Sequence, residues 1–203
     1  YSINIANDRP KARIFSFEPI IKTYNYLRGN IELNCLSNIH PYNIGFSDEK
    51  RDAVFYYYPE GSGNASLSNL SQSDNVIEVN CRLETLDSFI TKRDVRVDFI
   101  KCDVEGAELM AFKGGIKSLK EFKPIVFVEM LRKWTKAFDY HPNQVISLFN
   151  DLGYQCCTIC EKGLKKFGKM DEETIEANFI FLLSLLIIDG SDNFTTKFLL
   201  NDF

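Results

Sequence analysis

The sequence predicts an α/β fold in which a mostly parallel, open sheet carries helices on both faces and ends in an antiparallel strand pair. Three observations predict it. Short apolar runs alternate with segments whose apolar residues recur every three or four positions, so strands and helices alternate and the strands are joined by crossovers. Four successive strand ends carry an acidic residue, namely Glu18, Asp48, Asp103 and Glu129, and strand ends are where open α/β sheets bind ligands. The final extended runs, Tyr154 to Ile159 and Asn178 to Leu183, read as the closing antiparallel pair of a mixed sheet.

The elements follow in order. Tyr1 to Asn7 reads as the tail of a helix that stops near Asp8-Arg9-Pro10, because proline cannot continue a helix and disfavours helical geometry before it. Ala12 to Phe17 is a strand closed by Glu18-Pro19, and Ile20, Tyr24, Leu27 and Ile31 then stand at helical spacing. Ile39 to Phe46 is a weaker strand ending at Ser47-Asp48. Residues 53–81 form a hairpin-like insertion: an alternating aromatic run from Val54 to Tyr58, a loop rich in Gly, Ser and Asn from Gly61 to Ser73, and an extended run from Val76 to Cys81. That loop reads either as a binding lid or as an exposed hairpin tip. Val97 to Cys102 is a buried strand leading at once into Asp103-Val104-Glu105-Gly106. Leu109, Phe112, Ile116 and Leu119 then make one apolar stripe on a helix that Pro124 stops. Ile125 to Val128 is another buried strand, ending at Glu129, and Val145, Leu148, Phe149 and Leu152 mark a helix before Gly153.

Composition narrows the function. With 203 residues, 45% of them hydrophobic, the chain can bury one sizeable core, and a single domain over 1–203 is expected. The 24 basic and 28 acidic residues are spread without blocks and give a formal charge of -4, which argues against nucleic acid or an anionic membrane as partner. No run reaches the ~18 apolar residues of a membrane span; the longest, Phe179 to Ile188, is a core strand or hairpin. Six cysteines are too few for a disulfide scaffold of this length, which points to a reducing, cytoplasmic setting. Cys157-x-x-Cys160 has zinc spacing but no second pair, and His40 and His141 are the only histidines, so no metal is expected. Asp103 with Glu129 as a divalent-ion pair is the lesser alternative.

The strand-end acids carry the chemistry. Glu18 ends the strand before the first complete crossover helix, where a carboxylate can accept hydrogen bonds from both hydroxyls of a ribose; otherwise it is a solvated corner residue. Asp48, next to Ser47, could receive the exocyclic amine of an adenine or serve only in a turn. Asp103 and Glu105 are the candidate general bases, with Glu129 behind them. Glu105 and Glu108 also suit the first turn of a helix, where acids complement its dipole, and this is the preferred reading of Glu108. In the loop from Leu131 to Pro142, Trp134, Phe138 and Tyr140 could stack on a sugar ring or anchor the loop to the sheet.

The segment Lys101-Cys102-Asp103-Val104-Glu105-Gly106-Ala107-Glu108, preceded by an apolar strand and followed by a helix and Gly114-Gly115, resembles the hallmark of the FkbM-type methyltransferases. Phe17-Glu18-Pro19, Thr85-Leu86-Asp87 and Pro124 to Glu129 match flanking features of that family in the same order, so the resemblance covers roughly residues 1 to 185. It implies a Rossmann-like class I methyltransferase fold, S-adenosyl-L-methionine as methyl donor, and O-methylation of a small-molecule or carbohydrate acceptor such as a sugar, glycoconjugate or polyketide hydroxyl. It also implies that Glu18 holds the cofactor ribose, that Ser47 and Asp48 lie by the adenine, and that Asp103 faces the methionine moiety with Glu105 and Glu108 nearby.

One departure weighs against it. The family's Asp-x-Gly-x-Asn-x-Gly loop, in which glycines let the backbone approach the cofactor, is not in the chain, and Gly61-Ser62-Gly63-Asn64 lacks the parallel strand that would make it a substitute. The expectation is either that roughly 15 to 25 residues of a first strand and loop are missing upstream, or that the chain is a catalytically inactive binding module on the same fold. A nicotinamide-dependent oxidoreductase would also use an acid in the place of Glu18, but hydride transfer does not require the acids from Asp103 to Glu108.

Overall fold

The computed structural model describes residues 1–57, 65–67, 76–161, 163–184 and 193–194. Strands β1 (Ile14–Phe17) and β2 (Ile39–Tyr42) pair in parallel and are joined by helix α2 (Ile21–Leu33), the crossover that alternating periodicity calls for. Side chains alternate along a strand, so the two faces of β1 meet different helices. Ser16 faces α1 (Ser2–Asp8) and its hydroxyl donates to Ser2 Oγ at 2.8 Å. Phe15 and Phe17 face the other way, meeting Phe89 of α3 (Leu86–Arg93) edge-on with centroids 6.1 and 4.8 Å away.

The run from Ile39 to Phe46 is not one strand. It breaks at Asn43, whose side-chain amide donates to the carbonyls of Glu18 and Pro19, each at 2.8 Å. Side-chain bonds at this corner replace a ladder, and the chain turns from β2 into β3 (Gly45–Phe46), which pairs in parallel with β6 (Ile77–Glu84) of a second sheet. In that sheet β4 (Arg51–Tyr57) runs antiparallel to β6, and β5 (Ala65–Ser66) lies on the far edge of β4. Phe55, Tyr57, Cys81 and Leu83 bury its inner face over Ile20. Most of the loop from Gly61 to Ser73 lies outside the described residues.

The third sheet has the order β12-β10-β9-β11-β8-β7. Here β7 (Phe99–Cys102) and β8 (Ile125–Glu129) are parallel, and β11 (Asn178–Leu183) runs antiparallel between β8 and β9 (Tyr154–Cys160). The antiparallel closing pair is therefore present. Antiparallel pairing also reaches further than the sequence suggests, because β10 (Gly163–Lys166) folds back on β9 and carries β12 (Asn193–Phe194). Parallel pairing among the described residues is confined to β1–β2, β3–β6 and β7–β8. Val126, Val128, Phe179 and Phe181 form the main core with Phe112 and with Phe149 of α7 (Asn143–Asp151), whose ring stacks on Phe181 at 4.2 Å. No helix of the described residues is long and apolar enough to cross a membrane.

The apolar stripe from Leu109 to Leu119 belongs to two helices, α4 (Glu108–Lys113) and α5 (Ile116–Phe122), parted at Gly114-Gly115. Gly114 lies directly against the Ser47 backbone: a Cβ there would fall far inside contact distance of the Ser47 carbonyl oxygen and 3.0 Å from its carbon. The second helix starts afresh beneath Asp87, whose carboxylate accepts from Lys117 N at 3.1 Å, Ser118 N at 2.8 Å and Ser118 Oγ at 2.7 Å. Thr85 caps α3 through Ser88 N at 3.1 Å, so Thr85-Leu86-Asp87 secures the starts of two helices.

Candidate active site

The strand ends bring the acids together. Glu18 follows β1, Asp103 follows β7, and Glu129 is the last residue of β8. Lys101 pairs with Asp103 at 2.8 Å, and Asp103 acts on Glu129 from the neighbouring parallel strand, raising its proton affinity. After Asp103 the chain makes a tight turn, with Glu105 at φ 51° and Gly106 at φ 105°. Left-handed backbone suits Gly106 and is costly at Glu105, so the turn must be held from outside.

It is held by Glu108 and Tyr140. Glu108 is only 1% exposed; its Oε1 accepts from Gly106 N at 3.0 Å and Val104 N at 3.3 Å, and its Oε2 accepts from the Tyr140 hydroxyl at 3.1 Å. The single proton of that hydroxyl is shared with Gly106 O, the nearer acceptor at 2.8 Å, and its oxygen accepts from Leu109 N at 3.4 Å. Glu108 stands in the first turn of α4, as expected of an acid that complements a helix dipole, and it is buried as well because the turn folds its free amides onto it. Tyr140 comes from a strap after β8 formed by α6 (Arg132–Thr135) and a 3-10 turn (Lys136–Phe138), and it anchors this strap to the turn. Nothing local foretells this pairing, since the partners are 32 positions apart and neither spacing nor type marks them as a pair.

Burial and like charge set the proton affinities. Glu105 is pushed up to about 7, first by burial and then by Asp103, Glu129, Glu108 and Glu18. Burial raises Glu129 too, and Asp103 adds to it. Glu18 is raised by burial against the opposing bond from Ile20 N at 2.9 Å, and Glu108 by burial against its several donors. Glu18 acts on Glu105 although they follow strands of different sheets, so Glu18, Asp103, Glu105 and Glu129 form one cluster. Ser47 and Asp48 stand elsewhere, where β3 meets the junction of α4 and α5. Ser47 is fully buried, donating from Oγ to Asp48 at 2.9 Å and from N to Glu84 O at 3.0 Å, while Asp48 is exposed.

The raised proton affinity of Glu105 makes a stability prediction. A carboxyl of this kind favours the folded state fully below its ordinary value of ~4.3, and the contribution is lost as pH rises through about 7. Glu105→Gln is therefore expected to melt with the parent at about pH 4 and several degrees above it at about pH 8. Thermal melts at both pH values check this, and a less stable variant at the higher pH would mean that a partner favours the carboxylate.

Comparison with known proteins gives the class and then the family. The methyltransferase FkbM domain matches residues 3–156, most of the chain. The chain belongs to the FkbM methyltransferase domain family. Methyltransferase 1 of Beauveria bassiana is 24% identical over 134 residues, covering 56% of this chain and 53% of its own length. Methyltransferase sdnD of Sordaria araneosa is 28% identical over 143 residues, covering 56% and 55%. The AMB antimetabolite synthetase AmbE of Pseudomonas aeruginosa is 28% identical over 149 residues, which are 56% of this chain and 7% of the synthetase. The chain thus spans about half the length of the two methyltransferases it matches and a small part of the synthetase. Among solved structures, a methyltransferase FkbM from Methylobacillus flagellatus KT is similar over 88% of this chain and 38% of its own, at 19% identity and a TM-score of 0.47.

Proposed function

We propose that the domain transfers a methyl group from S-adenosyl-L-methionine to a hydroxyl of a sugar, glycoconjugate or polyketide-like acceptor. The observation that carries this reading is the gathering of Glu18, Asp103, Glu105 and Glu129 at one end of the parallel strands in a chain of a methyltransferase family. The cluster suits such a donor. Burial holds Glu18, Glu105 and Glu129 above their ordinary range, and neighbouring acids add to this at Glu105 and Glu129, a crowding that a cation with ribose hydroxyls relieves and an anion would worsen.

When bound, the cofactor supplies an electrophilic methyl group, which leaves the protein to orient the acceptor oxygen and take its proton. Glu18 holds the ribose hydroxyls, Asp103 faces the methionine moiety, and Asp48 beside Ser47 is the acid available to an adenine amine. Glu105 takes the proton, because a base with an affinity near neutral pH is about half available and still able to accept. Glu129, also raised by burial and by Asp103, is the alternative base.

Calorimetric titration with S-adenosylhomocysteine tests the binding part. The full-length protein is expected to bind, and its Glu18→Gln variant to bind about tenfold more weakly, a loss of about 1.4 kcal/mol for weakened charged hydrogen bonds. Equal affinities would remove Glu18 from the site, and no heat from the parent would favour a binding module that has lost the cofactor.

A further inference from the structure

The turn that carries the candidate base and the strap that crosses it share one hydrogen-bond network. Glu105 sits between two residues whose amides, Val104 N and Gly106 N, are both held by Glu108 Oε1. The next carbonyl, Gly106 O, is held by the Tyr140 hydroxyl, which also reaches Glu108 Oε2. Tyr140 is thus the part of the network that comes from outside the turn. The strap closes on the same point by shape: a Cβ on Gly106 would stand 2.7 Å from the Phe138 ring and 2.8 Å from Trp134 O. The start of the strap is tied down in turn by the Arg132 guanidinium, which donates to Asp171 O and to Glu172 O.

We propose that Tyr140 is a positioning residue for the candidate base: by bridging Gly106 O and Glu108, it locks the left-handed turn that holds Glu105 among the strand-end acids, so that docking of the strap and placement of Glu105 are one event. The inference rests on the reading of Glu105 as the base. Two consecutive residues at positive φ do not hold themselves, and a non-glycine one costs roughly 1–2 kcal/mol. Without the tyrosine hydroxyl a buried carboxylate oxygen loses its donor, and relaxation of the turn is the route by which Glu108 regains water. Released from the turn, Glu105 leaves both its burial and its charged neighbours. Those neighbours are Asp103, itself paired with Lys101, and Glu129, Glu108 and Glu18; the strap's own charged and titratable groups are Arg132, Lys133, Lys136, Asp139, Tyr140 and His141.

The test is the titration of Glu105, followed by NMR of carboxyl-labelled glutamate in the parent and in Tyr140→Phe. The expected result is a fall of about one pH unit toward the ordinary glutamate value in the variant. An unchanged midpoint with a lowered melting temperature would overturn the proposal, since the tyrosine would then only fasten the strap. If Tyr140→Phe does not fold, the parent chain still decides. Trp134 is the only tryptophan, so its emission reports the strap alone. Measured in a His141→Gln background to silence the imidazole, it is expected to change with the midpoint of Glu105 and to lose that change in Glu105→Gln. Emission that is flat through the Glu105 titration would overturn the linkage. Neither measurement needs cofactor or acceptor, so a chain that fails to bind S-adenosylhomocysteine yet shows the linked titration loses the methyl-transfer reading, and with it the base, and keeps only the coupling of Tyr140 to the placement of Glu105.

Discussion

Gly114→Ala is expected to cost the fold about 3 kcal/mol or more and to lower the melting temperature by roughly 6–12 °C. The alanine methyl would be driven into the Ser47 carbonyl, and neither side can give way easily. On one side Ser47 N is bonded to Glu84 O at 3.0 Å, which fixes the end of β3 against β6. On the other, Gly114 O accepts from Asp87 N at 2.9 Å, and Asp87 in turn caps α5. A clash here therefore strains the pairing of β3 with β6 and the starts of two helices at once. Gly29→Ala is the matching control: it lies in α2 with nothing within 4 Å of the added methyl. There alanine is expected to stabilise by about 1 kcal/mol through helix propensity. Equal melting temperatures for the two variants would show that the junction of α4 and α5 yields, contrary to the packing described.

The second large effect is on chemistry. The Asp103→Asn, Glu105→Gln double variant is expected to lose about 10²–10⁴-fold in methyl transfer, the range for removing a positioned proton acceptor. The assay is transfer of labelled methyl from S-adenosylmethionine to a panel of hydroxyl acceptors. The single variant Glu105→Gln separates proton acceptance from binding: its rate is expected to fall while affinity for S-adenosylhomocysteine holds. In the parent the rate is expected to rise with pH to a plateau, with a midpoint near the Glu105 value of about 7, and this limb is expected to be absent from Glu105→Gln. Full activity in the double variant would exclude both acids as bases and leave Glu129 as the remaining candidate.

Much of this fold could be read from local pattern. Periodicity located β1, α2, β7, β8, α7 and the closing pair, because each buries a face whose spacing is set within the element. The misreadings arose where a distant residue decides the outcome. The apolar stripe from Leu109 to Leu119 is continuous in sequence, but the helix breaks because Ser47 occupies the space beside Gly114. The strand from Ile39 to Phe46 divides because Asn43 bonds to carbonyls 24 and 25 residues earlier. The site followed the same rule. Placing acids at strand ends needed only the order of elements, and Glu18, Asp103 and Glu129 do lie at the ends of β1, β7 and β8. That Glu108 is buried and Ser47 packed beneath a helix junction depended on Tyr140 and Gly114, which the pattern does not connect to them.

Two packing contacts reach from one sheet to another. Tyr1, just ahead of α1, stacks on Phe127 of β8 at 6.4 Å while Ser2 is bonded to Ser16 of β1, and Phe89 of α3 meets Phe15 and Phe17 of β1 as well as Phe46 of β3. A ladder admits only whole-residue slips, whereas packed side chains admit fractions of an ångström. Substitutions at Tyr1, Ser2 or Phe89 thus offer evolution a fine adjustment between sheets with every strand-end acid left in place.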